Sequence, residues 1–136
     1  MATNPEPTDP PNAEPGRYDE RYLAGILCFN RGEFFEAHEV WEDLWMACPS
    51  AERRFIQSLI QAAVALYHWG NGNRAGADRL LASGRRYMEP YRPKYHGLDV
   101  DLFWLQMEQA MMPAGPRPLI GLDPPPDRWP SEVPHE

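Results

Sequence analysis

Phe55-Ile56-Gln57-Ser58-Leu59-Ile60-Gln61-Ala62-Ala63-Val64-Ala65-Leu66-Tyr67-His68-Trp69 is the stretch on which the fold turns. Apolar side chains fall on every side of a helix drawn through it. A helix of that kind belongs in the middle of a bundle, where neighbours cover it all round. Gln57, Gln61 and His68 interrupt the pattern. Each must find a partner, because burying one polar group unpaired costs about 1–3 kcal/mol. The helix should run from Ala51 to Trp69 and end at Gly70-Asn71-Gly72-Asn73.

Outward from this centre, four further helices are expected. The first covers Asp19 to Phe29, with Tyr22, Leu23, Ile26 and Leu27 at helical spacing, and breaks at Asn30-Arg31-Gly32. The second runs from Glu33 to Met46 and is closed by Pro49. A fourth spans Arg74 to Met88 before Pro90 and Pro93, and Asp99 caps the last, Val100 to Met111. No period-two alternation appears, so no sheet is expected. The fold class is therefore all-α, a compact bundle of about five helices. Gly32-x-Phe34-x-x-Ala37 and Gly72-x-x-x-x-Ala77 each open a helix after a glycine turn, resembling tetratricopeptide-like hairpins. Proline-rich tails over 1–17 and 113–136 flank the helical domain, 18–112. In the second tail Leu119, Ile120, Leu122 and Trp129 could lie along the domain in an extended path.

The totals narrow the function classes. With 136 residues the chain can bury a core unaided by disulfides, and Cys28 and Cys48 sit among apolar residues as small hydrophobes. A net charge of -7 argues against a nucleic-acid partner, since phosphate binding needs clustered Lys and Arg. No segment suits a membrane span or a signal peptide, and the expected location is the cytoplasm.

One constellation could carry chemistry. In the second helix Phe34, Ala37, Trp41, Leu44 and Trp45 form the buried stripe, with His38 and Glu42 one turn apart at its edge. Glu39 points about 100° away from His38, toward solvent. A short connection at Pro49 makes the second and third helices antiparallel neighbours, placing Glu42 level with Gln57 and His38 level with Gln61. The four side chains could then meet, while His68 lies roughly 10 Å further along the axis.

Asn30-x-Gly32-x-Phe34-Phe35-Glu36-Ala37-His38-Glu39-x-x-Glu42-x-x-Trp45, followed by Gln57-x-Leu59-Ile60-Gln61 and His68, resembles the family catalogued as domain of unknown function 309. The resemblance covers Tyr18 to Met111. It implies an all-helical fold and an activity labelled predicted metal-dependent hydrolase, with His38, Glu42, Gln61 and His68 on signature positions.

Three readings of the constellation stand side by side. As a hydrolase, His38 and Glu42 would bind a divalent metal, Glu39 or a bound water would act as base, and Gln57, Gln61, His68 and Trp45 would bind or orient. His-Glu-x-x-Glu matches the His-Glu-x-x-His zinc helix only in part, because Glu42 replaces the second histidine and no third ligand follows. As structure, the same groups would satisfy one another and fix the helix register. As a binding module, two helical hairpins would form a groove that the proline-rich tails could occupy or use to recruit a partner, with a protein partner or a homo-oligomer as the expected company. Tyr87, Tyr91, Tyr95 and His96 would suit a recognition edge.

Overall fold

The computed structural model describes residues 15–131. Its elements are α1 (Glu20–Asn30), α2 (Phe34–Ala47), α3 (Ser50–Gly70), α4 (Arg74–Met88), a 3-10 turn (Glu89–Tyr91), β1 (Lys94–Tyr95), β2 (Leu98–Asp99) and α5 (Val100–Ala110). The fold is the expected all-α bundle, and none of its helices is long and apolar enough to cross a membrane. The first tail falls outside the described residues up to position 14.

Side-chain caps start three of the helices. Asp19 accepts from the Arg21 amide, Asn73 from Gly76 and Asp99 from Leu102, each removing one unpaired donor of a first turn. The long helix α3 packs between α2 and α4 and buries Phe55, Ile56, Leu59, Ala62, Ala63 and Leu66 on one side. Trp41 is the largest fully buried side chain. It lies in a notch left by Gly25, where any Cβ would collide with the indole, and its Nε1 donates to Tyr22 O at 3.2 Å. Helix α5 closes the core from the other side, with Phe103 against Phe29 and Trp104 against Gly84.

The structure corrects the expectation of no sheet. β1 and β2 pair antiparallel, Lys94 with Asp99 and Tyr95 with Leu98. Strands of two residues are too short to show alternation. They are held by a two-residue turn in which both His96 (φ 45°) and Gly97 (φ 74°) take left-handed conformations. Such turns match the twist of the flanking strands.

Part of the second tail is built into the domain. Ile120 and Leu122 are buried against the core, whereas Leu119 and Trp129 stay largely exposed. Asn30 holds both backbone groups of Ile120: its Nδ2 donates to the carbonyl at 3.0 Å and its Oδ1 accepts from the amide at 2.8 Å. Further along, Asp123 N donates to Gly97 O and Tyr18 donates its hydroxyl to Pro124 O. The tail is a strap that joins α1, α5 and the His96 turn.

Candidate functional site

Helix α3 positions the constellation by presenting two flanks. Arg53 stacks its guanidinium over Trp45 of α2 at 4.7 Å, and Tyr67 meets the Phe35 ring at 5.5 Å. On its other flank Arg54 covers Tyr87 of α4 at 5.1 Å, and Ser58 donates to Gly84 O. Between the flanks run Gln57, Gln61, Val64 and His68, spaced four, three and four residues apart and all half-buried. They line the side of α3 turned away from its core residues, between its contacts with α2 and α4.

His38 and Glu42 do meet. Nε2 of His38 lies 3.1 Å from Glu42 Oε1, and Nδ1 lies 2.8 Å from Phe35 O. The glutamines do not complete the quartet. Gln61 turns toward α4, its Cβ near the position a Cβ on Gly84 would take, and its Oε1 is buried without a partner. Trp45 Nε1 is likewise buried and unpartnered. Glu39 is exposed on the far flank of α2, and His68 sits half-buried beside Tyr67, ring centroids 6.1 Å apart.

The donor set was tested against a catalytic metal. Such a centre takes three protein ligands and an open position. His38 and Glu42 supply two, and among the described residues no group of three His, Cys, Asp or Glu is placed to hold a metal ion. The set therefore falls short. Neither cysteine offers a thiolate: burial, with Glu33 and Glu36 nearby, pushes Cys28 up to about 11, and burial also raises Cys48.

The outer face has a marked charge pattern. Helix α2 carries Glu36, Glu39, Glu42 and Asp43 with no Lys or Arg, whereas α4 carries Arg74, Arg79, Arg85 and Arg86 against one acid, Asp78. Arg85 is paired with Glu108 of α5 at the surface, while Arg79 and Arg86 are exposed. On this face Phe35 and Tyr67 are 45% and 42% exposed, and Met46 is 72% exposed. Sequence reasoning missed this face because it gave Phe35 and Met46 no role and counted Tyr67 among the apolar residues of the central helix. The signal was present in the opposite charges of two helices flanking an apolar one.

A second concavity lies at the other end of the domain, between the start of α1, the α2–α3 corner and the His96 turn. His96 is paired there with Glu52, Nε2 to Oε1 at 3.0 Å, both largely shielded. The sequence offered His96 only as part of a recognition edge, and nothing in the spacing joined it to a residue 44 positions away.

Residues 22–80 match the model of the family described as "Domain of unknown function (DUF309)". The chain is 35% identical over 86 residues to the uncharacterized protein YpuF of Bacillus subtilis (strain 168), an overlap covering 62% of this chain and 49% of YpuF. It is 24% identical over 84 residues to an uncharacterized protein of Aquifex aeolicus (strain VF5), covering 61% of this chain and 25% of that protein. The chain thus spans about half and a quarter of these two relatives.

Proposed function

From the premise that the chain, through residues 22–80, belongs to the DUF309 family, we propose that the domain is a non-catalytic interaction module. The outer face of α2, α3 and α4 docks a second copy of the same chain. One observation carries this reading: exposed Phe35, Met46 and Tyr67 lie on an outer face whose flanking helices carry opposite charge, α2 acidic and α4 rich in arginine. A two-fold axis running along α3 lays the acidic α2 of one copy over the arginines of α4 in the other. Closed two-fold dimers need this self-complementarity. Phe35, Met46 and Tyr67 then leave water. In the longer relatives the same helices occupy part of a larger chain, as suits a module.

Sedimentation velocity on the full chain tests this. A dimer is expected that Tyr67→Glu converts to a folded monomer, since Tyr67 is exposed and its replacement leaves the core intact. A wild-type chain that stays monomeric up to roughly 100 µM, well above the range of specific interfaces, would end the proposal.

A second reading, metal-dependent hydrolysis with His38 and Glu42 as two ligands, Glu39 as base and Gln57, Gln61 and His68 as orienting groups, is favoured by one feature. His38 Nδ1 against the Phe35 carbonyl is the outer-shell arrangement common to metal-bound histidines. It ranks second because the third ligand is lacking among the described residues. Metal content of chelator-free protein beside a His38→Ala, Glu42→Ala variant separates the readings. About one metal per chain, lost in a folded variant, favours hydrolysis.

A further inference from the structure

The concavity at the His96 end encloses about 700 Å³, within the range of pockets that hold small molecules. Its apolar lining is formed by the exposed Ala47 and Pro49, beside the largely covered Leu44, Ile56 and Tyr22. Its wall is the Glu52–His96 pair, and this wall is fixed. The hydroxyl of Tyr22 donates to His96 O at 2.9 Å, and the Glu52 carboxylate holds the ring. His96 keeps a left-handed backbone (φ 45°), a conformation that non-glycine residues hold only when surroundings impose it.

The charges at the rim are not equally committed. Arg21 is tied to Asp19 by its backbone amide at 2.8 Å and its guanidinium at 2.9 Å. Among the described residues Lys94 is paired with Asp123, on the strap, at 3.1 Å, and that carboxylate is 86% exposed. An ion pair so open to water contributes little. A carboxylate or sulfonate seated on the apolar lining would be less hydrated than Asp123 and would take its place. The Cys48 thiol in the wall stays protonated because burial raises it, so nothing there attacks a ligand.

We infer that this pocket binds a small amphipathic anion, its apolar body on Ala47, Pro49 and the exposed edge of Leu44, its anionic end on Lys94, and the Glu52–His96 pair as the fixed polar wall. The site lies on a different face from the docking surface and stands independently of it.

The test uses the full chain and 1-anilinonaphthalene-8-sulfonate, an aromatic anion of suitable size, followed by fluorescence and isothermal titration. Saturable binding at one site per chain is expected. Lys94→Glu should weaken it roughly ten-fold or more. Ala47→Trp, which fills the mouth from an exposed position, should abolish it, and circular dichroism melting should show both variants folded. The uncharged N-phenyl-1-naphthylamine should bind roughly ten-fold more weakly or worse. Non-saturable binding, equal binding of the neutral compound, or binding indifferent to both variants would each overturn the inference.

Discussion

Around Asn30 and Ile120 the chain satisfies its polar groups from both sides, with one asparagine side chain serving a strap residue's amide and carbonyl together. Around Gln61 and Trp45, on the outer face, two polar atoms are buried with no partner, and large apolar side chains remain in water. The first region is finished within one chain; the second is not. The contrast separates residues that hold the fold from residues available for recognition. Stability selects for pairing at the strap, whereas an unpaired buried group persists where something other than the monomer's stability has been selected.

The sharpest way to test this contrast is to damage both regions. Asn30→Ala leaves the buried Ile120 amide and carbonyl without partners. It should destabilise the protein by about 2–6 kcal/mol in urea unfolding, counting about 1–3 kcal/mol for each group. Gln61→Met is expected to do the opposite. Replacing an unpartnered buried amide by an apolar side chain of similar size should stabilise the dilute monomer by about 1 kcal/mol, while weakening the dimer. A destabilised Gln61→Met monomer would mean that the outer face is as finished as the strap.

The ends of the pH range probe the strapped half further. Asp19 is pushed up by burial, but side-chain and backbone hydrogen bonds from Arg21 outweigh this and hold its carboxyl below the usual value. A depressed carboxyl adds stability above its unfolded-state pKa, and that share is lost as pH falls through the lower folded-state value. Asp19→Ala should cost about 1 kcal/mol near neutrality, as lost helix caps do, and should flatten the acid limb of the stability curve. Cys28 carries the reverse sign. Its thiol is raised to about 11, so its contribution is complete below the unfolded-state pKa near 9 and is lost as pH rises toward 11. Cys28→Ala should soften the alkaline limb, the smallest of these effects, and in the wild type neither buried thiol should react with Ellman's reagent before unfolding.

How far the sequence disclosed this arrangement depends on the range of the interactions involved. The helices were legible because apolar spacing, Asp99, Pro49 and the glycine turns are local signals, and the all-apolar α3 told its place in the layer. The His38–Glu42 pair was legible for the same reason, being one turn apart. The β1–β2 hairpin was not, because its cause is the left-handed pair His96-Gly97 rather than any alternation. The orientation of Gln61 was missed because it depends on Gly84, which leaves room for it on α4. The Glu52–His96 pair and the Asn30–Ile120 clamp join residues 44 and 90 positions apart, beyond what spacing can show.

The central claim, that the outer face is completed by a second copy, is tested most directly by the urea midpoint as a function of protein concentration. Binding that favours the folded state makes stability depend on concentration. The account predicts a midpoint that rises with concentration in the wild type, by an amount equivalent to about 2.7 kcal/mol per dimer for each hundred-fold increase, and stays flat in Tyr67→Glu. A flat wild-type midpoint would contradict it.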